Sequence, residues 1–292
     1  MQRYPRLTDG PTPRDNRRRT PIILYRQSVD DREAWENEYR AMNRHFVTTN
    51  SRMAVHGGDL VIGRYSVLPF YHELEADLNH EGCNLINSPS QHTYIADLQN
   101  WVATLGDMTP TTWNRLEDLP EEGPFVLKGE TNSVKNKWNT HMFAQNKKEA
   151  IQVYLRLSDD PFISQQRIYI RKFVPMVTLL TSPVNQQPIT LEFRFFGLYG
   201  KVLSHGFYWS SFVDDLDETP KASPEVIAFA EKVIGILSSH ANFMAVDIGV
   251  AQNGKPFVVE VNDGQMSGLS ENDPNELYAN MKKVVWDDLP GE

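Results

Sequence analysis

Asp247, Glu260 and Asn262 are the side chains whose types and spacing could do chemistry together. They lie in AVDIGVAQNGKPFVVEVNDG, residues 245–264. Two apolar runs flank Asn253-Gly254, a dipeptide that favours a two-residue type I′ hairpin turn. That turn would set Gln252 opposite Lys255 and Asp247 opposite Glu260. Strand side chains alternate, so Val246, Ile248 and Val250 would share an apolar face with Val261, Val259 and Phe257. Asn262 would join the two carboxylates on the other face. Two carboxylates and an amide oxygen form an oxygen-only ligand set, suited to Mg²⁺ carrying a phosphate chain rather than to zinc. Like charges directly across a ladder repel, so one carboxylate is protonated or a cation sits between them. The competing reading is a solvated face with weak repulsion. Turn register, apolar back face and Glu-x-Asn spacing agree, which favours the metal. On that reading Glu260→Gln relieves repulsion, and the metal-free protein is no less stable.

Cationic side chains that could hold a phosphate chain stand upstream. Lys128 ends the apolar run FVLKG and opens the loop ETNSVKNKW. Thr131, Asn132 and Ser133 offer donors there, and Lys135 and Lys137 offer further charge. The loop lacks Walker A spacing, and a lysine-rich surface loop is the competing reading. In RIYIRKFVP, residues 167–175, Arg171 and Lys172 interrupt an apolar alternation. The segment reads as an edge strand with solvated bases, or as a hinge whose backbone meets an adenine while a base reaches phosphate. In LEFRFF, residues 191–196, Glu192 and Arg194 share one strand face. A tight turn at Tyr199-Gly200 would place Arg194 opposite His205. Such a charged pair in an aromatic strand lines a cleft or forms a structural ion pair. Arg64 and Tyr65 follow the apolar run DLVIG, at a strand end of the kind that faces ligands in α/β sheets; an ordinary loop arginine is the competing reading.

The elements that position these residues follow from periodicity. Short strands at Pro21–Arg26, Asp59–Gly63 and Cys83–Ile86 alternate with helices at 30–46, 69–80 and 90–105, the pattern of a partly parallel sheet. After a Pro-, Glu- and Gly-rich stretch at 119–124 the pattern turns antiparallel. Strands are expected at 125–129 and 167–173, with a polar loop at 131–140 and a helix at 147–157. A hairpin is expected at 189–196 and 201–209. Ser223-Pro224 starts a helix, with Ser223 as cap and Pro224 in the first turn. A last helix runs from about Asn275 to Val285.

Composition narrows the classes. The chain has 292 residues, is 40% hydrophobic and 23% charged, and carries a net charge of −9. That balance weighs against a large nucleic-acid footprint. Cys83 is the single cysteine, which excludes an internal disulfide or a cysteine-based zinc cage. Without a membrane-length apolar run or an apolar N-terminal segment, the expected setting is cytoplasmic, with no membrane partner. Residues 1–20 hold six arginines and read as a mobile basic arm that captures an acidic partner or lies on the acidic body. There is no G-x-S-x-G, H-E-x-x-H or G-x-G-x-x-G motif.

Taken in order, F-V-L-K-G with its loop, I-R-K-F-V-P followed by L-E-F-R-F-F, and V-D-I-G-V with V-V-E-V-N resemble the ATP-grasp superfamily. The arrangement looks closest to a divergent branch. It contains the eukaryotic cell-division-cycle factor that assembles translation initiation factor two, and phage and bacterial relatives named for one arginine and two lysines. The resemblance implies an α+β fold in which two lobes, 109–175 and 176–292, enclose ATP behind an α/β domain at 21–108. It implies that Lys128, Thr131, Ser133, Lys135 and Lys137 contact the triphosphate and that Arg171, Lys172 and Phe173 form the adenine hinge. Glu192 and Arg194 would also face the nucleotide, and Asp247, Glu260 and Asn262 would hold Mg²⁺. Lys128 and Arg194 would be catalytic. Where many relatives carry an earlier phosphate-binding lysine, this chain has Gln91 and His92. The implied activity is an ATP-dependent ligase that makes an acyl phosphate and joins a carboxylate to an amine, with a protein or peptide as substrate. Alternatives are an ATP-binding assembly factor for a protein partner, and an RNA ligase using the basic arm, which the acidic net charge disfavours.

Overall fold

The computed structural model describes residues 21–26, 32–66, 70–130, 133–134, 137–161, 163–183 and 186–287. The basic arm, the candidate caps Asp30 and Asp31 at the start of the helix expected over 30–46, and Thr131, Asn132 and Lys135 therefore lie outside the described residues.

The first sheet is parallel, as the alternation predicts. It contains β1 (Pro21–Tyr25), β2 (Val47–Thr49), β3 (Leu60–Arg64) and β4 (Asn84–Leu85), in the order β2-β1-β3-β4. Parallel neighbours need crossovers, and α1 (Arg32–His45) and α2 (Tyr71–His80) supply two of them. Buried Ile23, Leu60 and Ile62 on one face pack with residues of the C-terminal half of the chain. Leu24 and Val61 pack with Tyr71, Leu74 and Leu78 of α2.

The single helix expected over 90–105 is two: α3 (Pro89–Ala96) and α4 (Leu98–Leu105). Ser88 and Gln91 form a reciprocal capping box on α3. Asp97 has extended backbone and accepts from Gln99 N, so it ends one helix and caps the next. It also accepts a 2.8 Å hydrogen bond from the Tyr169 hydroxyl, a contact 72 residues away that no local pattern shows.

A second sheet is antiparallel, ordered β5-β8-β6-β7. Its members are β5 (Thr112–Trp113), β6 (Glu122–Gly129), β7 (Phe143–Asn146) and β8 (Ile168–Lys172). Helix α5 (Lys147–Ser158) packs Ala150, Val153 and Leu157 on it. The expected loop over 131–140 runs into a π-helical turn, Trp138–Met142. A small hairpin follows, β9 (Thr178–Thr181) and β10 (Pro188–Thr190). The strand expected from Ile189 is thus split at Leu191, and Ile189 and Thr190 join a different sheet.

The third sheet, ordered β12-β11-β13-β14, carries most of the candidate residues. Its strands are β11 (Glu192–Leu198), β12 (Lys201–Phe207), β13 (Phe243–Val250) and β14 (Pro256–Asp263). Helices α4 and α6 (Pro224–Leu237) cover one face and α7 (Pro274–Asp287) the other. Ser223 accepts from Val226 N and Pro224 occupies the first turn of α6, as expected. Among the described residues no helix is long and apolar enough to cross a membrane.

The register of both hairpins departs from the sequence reading, although the tight turn expected at Tyr199-Gly200 is present. Tyr199 (φ 49°) and Gly200 (φ 78°) are both left-handed, so the two-residue turn with primed geometry sits there. At the other hairpin Gly254 has φ 83°, but Asn253 does not have positive φ. The turn there spans Ala251–Gly254, closed by Gly254 N to Ala251 O at 2.8 Å. The observed pairs are Ile248↔Val258 and Val250↔Pro256, one residue off the expected ones. A bulge between Asp247 and Ile248 then shifts the register back, and Asp247 does oppose Glu260, with Val246↔Val261. The extra turn residue and the bulge cancel at the point of interest. They also turn Phe257 and Val259 to the cleft side, where they line a pocket, while Val258 joins the core. A second bulge, between Phe196 and Gly197, places Arg194 opposite Gly206 and gives His205 to Phe195.

Candidate active site

Antiparallel pairing of β11 with β13 sets Arg194 beside Asp247. The guanidinium grips the carboxylate with both prongs, Nε to Oδ1 and Nη2 to Oδ2 at 2.8 Å each. Asp247 is 0% exposed and Arg194 11%. Burial by itself pushes the Arg194 pKa down; the Asp247 charge and its hydrogen bonds outweigh that, and the net shift is upward. Across β13 from Arg194, Glu260 receives a hydrogen bond from the Lys128 ammonium, which reaches over from β6. Lys128 is 8% exposed and Glu260 18%. Each of the two apposed carboxylates therefore has its own cation, which is how the ladder tolerates them. This reverses the expectation for Glu260→Gln. Removing that charge leaves Lys128 buried without its carboxylate, so the ligand-free protein should lose about 1–3 kcal/mol, measurable as a lowered urea midpoint at unchanged slope.

Two cavities meet at this point. The first, about 270 Å³, is mainly apolar and lies between the second and third sheets. Val126, Phe173, Met176, Phe257 and Val259 contribute apolar walls, and Arg171, Lys172 and Glu192 also line it. The second, about 810 Å³, is the more polar of the two and is lined by Arg194, Tyr208, Asn262, Asp263 and His92, with Leu98, Trp101 and Met266 also on its wall. Lys128, Ser133 and Glu260 line both.

The remaining sequence candidates are distributed as follows. Phe173 is half-buried and meets Phe143 edge-on at 5.2 Å. Lys172 is exposed. Arg171 is buried, and its guanidinium binds Thr109 Oγ1 at 2.6 Å, the Val259 carbonyl, and the face of Trp101 at 5.4 Å. Burial pushes its pKa down to about 10, with the Glu260 charge opposing. Its fork thus ties β8 to the segment before β5 and to the bulged strand β14. Lys137 is turned to Asp160, with Nζ 3.4 Å from Oδ2, and lines neither cavity. Arg64 lies away from the cleft. It binds Glu38 Oε1 at 2.6 Å, the Tyr278 hydroxyl at 2.9 Å and the Ser267 carbonyl at 3.1 Å, fixing the loop after β14.

Sequence reasoning missed a buried polar group behind Asn262. Asp263 accepts from Asn87 Nδ2 at 3.0 Å and Gln265 N at 2.9 Å, and its Oδ2 lies 3.0 Å from His92 Nδ1. The His92 ring stacks on Tyr71 at 4.4 Å. Asp263 directly follows the Glu-x-Asn run, which was its only local signal. His92 and Asn87 come from chain more than 150 residues earlier, so pairing them needs the fold.

The donor chemistry fits a hard cation and an anionic chain. Glu260 and Asn262 present oxygens to the polar cavity, with Asp247 behind Arg194. Among the described residues no three His, Cys, Asp or Glu side chains converge on one metal position. A cation there would draw further oxygens from the amide of Asn262, from water and from a bound phosphate.

Comparison with known proteins accords with this architecture. The chain is similar to D-cycloserine synthetase DcsG, with a TM-score of 0.61, 12% identity, and coverage of 91% of this chain and 99% of that one. It resembles D-alanine–D-alanine ligase from Bacillus anthracis at TM-score 0.54 and 16% identity, covering 93% and 99%. A RiPP-associated ATP-grasp ligase from Chryseobacterium gregarium, in complex with ADP and a leader and core peptide, aligns at TM-score 0.55 and 10% identity, covering 93% and 98%. At these identities the likeness is one of fold. The comparison with curated proteins found no match. The family model for an ATP-grasp domain, family 3 of the clade named for one arginine and two lysines, matches residues 115–281, more than half of the chain. The α+β fold expected from the sequence and the matching family model agree: this chain belongs to the ATP-grasp family, in the third family of that arginine-and-two-lysines clade.

Proposed function

We propose that the protein is an Mg-ATP-dependent ligase that activates a carboxylate as an acyl phosphate and joins it to an amine. The observation that carries this reading is the meeting of an apolar and a polar cavity at Lys128, Ser133 and Glu260. A nucleotide needs that order: an apolar slot for the base, cations at the phosphates, and a polar space beyond for the second reactant. Phe173, Phe257 and Val259 would hold the adenine. Glu192 would lie toward the ribose, and Lys172 at the pocket edge. Glu260 and Asn262, with Asp247, would hold Mg²⁺, which would supply charge neutralisation between the phosphates. Lys128 and Arg194 would turn from their carboxylates toward the transferring phosphoryl group. The same reading assigns 109–175 and 176–292 to the two lobes and 21–108 to the preceding domain. A peptide as substrate is supported by the size of the polar cavity and by the fold shared with a ligase solved with leader and core peptide.

Mg-ATP at a hundredfold excess over its dissociation constant should stabilise the fold by about 2.7 kcal/mol. A thermal-shift titration checks this, and an unmoved Tm at millimolar Mg-ATP counts against the reading. The nucleotide product then separates the chemistries. Ion-exchange chromatography should show ADP with peptide substrates. AMP appearing in step with joined RNA would replace the ligase proposed here with an RNA-sealing one.

A further inference from the structure

His92 Nδ1 lies 3.0 Å from Asp263 Oδ2, and the two side chains are 11% and 3% exposed. Asp263 Oδ1 already accepts from Asn87 Nδ2 at 3.0 Å and Gln265 N at 2.9 Å, which leaves Oδ2 to the imidazole. A carboxylate engaged in this way is the acceptor of the pair. Nδ1 therefore carries the ring proton and Nε2 presents its lone pair. The ring is held in place: it stacks on Tyr71 at 4.4 Å and 15°. The Tyr71 hydroxyl is fixed in turn, donating to the Asn87 carbonyl at 2.8 Å and accepting from Gln265 Nε2 at 2.9 Å. Nε2 of His92 has no hydrogen-bond partner among the described residues, yet it is not one of the buried polar atoms that lack one. It thus keeps accessible surface, and His92 lines the polar cavity.

The phosphate and metal chemistry leaves this lone pair unused. Lys128, Ser133 and Glu260 stand where the two cavities meet, whereas His92 lines only the second, where the second reactant belongs. The charge there suits a cation. Glu130, Glu260 and Asp263 line that cavity against Lys128 and Arg194, and Arg194 is already paired with Asp247. A primary ammonium is a donor only, and its nitrogen cannot attack until a proton leaves. A neutral imidazole fixed as acceptor by a buried carboxylate is suited to remove that proton.

We propose that His92 Nε2 receives the amine reactant and takes its proton, with Asp263 as the positioning residue that fixes the tautomer. This rests on the ligase reading and adds to it a general base and a primary amine as the acceptor class. One ammonium proton passes to Nε2, and the freed nitrogen pair bonds the acyl carbon. The carbon–oxygen bond to phosphate breaks, its electron pair goes to the phosphate, and the second nitrogen proton leaves with that phosphate.

The test follows the imidazole nitrogens by NMR in the full chain with isotope-labelled histidine, as wild type and Asp263→Asn. His92→Gln assigns the signal among the eight histidines. In the wild type at neutral pH, His92 should be the Nδ1–H tautomer. With Mg²⁺ and AMPPNP bound, glycinamide should shift Nε2 saturably toward the protonated position, and N-acetylglycinamide, whose amine is blocked, should not. Asp263→Asn keeps the shape but turns a donor to Nδ1, so the tautomer should invert and glycinamide should bind about tenfold more weakly, equivalent to about 1.4 kcal/mol. A histidine that only completes a buried network would show none of these responses to the amine. An Nε2–H tautomer in the wild type, an Nε2 signal unmoved by glycinamide, an equal response to N-acetylglycinamide, or unchanged amine affinity in a folded Asp263→Asn would overturn the proposal. The wild-type measurements decide by themselves if that variant does not fold. Failure of the wild type to bind AMPPNP would overturn the ligase reading itself, a result visible before any amine is added.

Discussion

Arg194→Ala should destabilise the fold by about 3–5 kcal/mol, because it strands a fully buried carboxylate. Asp247 is 0% exposed, and both of its oxygens take hydrogen bonds from Arg194. Asp247 stands behind Arg194 at the polar cavity, so truncation exchanges a two-pronged, charge-assisted pair for at most water from that cavity. Asp247→Asn should cost less, since Arg194 keeps the Gly268 carbonyl at 3.0 Å and the Tyr208 ring at 4.9 Å. The pair should therefore be strongly non-additive. In a double-mutant cycle, Arg194→Met with Asp247→Asn should recover a large part of the loss of Arg194→Met alone. Urea unfolding of the four proteins measures it. A coupling within about 0.5 kcal/mol of zero would mean that the ion pair does not persist in solution.

Lys128→Ala should weaken Mg-ATP binding by about 10- to 150-fold, the loss expected for a charge-assisted hydrogen bond of ~1.5–3 kcal/mol. The ammonium is held on a strand, 8% exposed, at the junction of the two cavities. Little side-chain entropy remains to be lost when it engages a phosphate. Lys137→Ala provides the contrast. That lysine is 46% exposed, pairs with Asp160 and lines neither cavity, so its removal should change affinity less than about threefold. Calorimetry on both variants decides. Equal losses would move the grip from the strand to the loop.

Much of this molecule is written locally. Alternating apolar runs and caps such as Ser223-Pro224 specify strands and helix starts within a few residues, because hydrogen bonding and side-chain periodicity act at that range. The order of Lys128, Arg194, Asp247 and Glu260 along the chain was enough to suggest the family. Tertiary structure decided what those residues touch. The face-to-face placement of Asp247 and Glu260 was expected from a tight turn at Asn253-Gly254, but it arises from a longer turn corrected by a bulge. That bulge leaves Val258 in the core with residues of α6 and Val259 on the cavity wall. The break at Asp97 has a local cap, Gln99 N on its carboxylate, but the Tyr169 hydroxyl on that carboxylate and the tether of Arg171 to Thr109 and Trp101 come from residues distant in sequence. His92 beside Asp263, Lys128 on Glu260 and Arg194 on Asp247 each join separate strands or helices. Pairing buried charges depends on which elements the core brings together, a property of the whole fold rather than of any window of the chain.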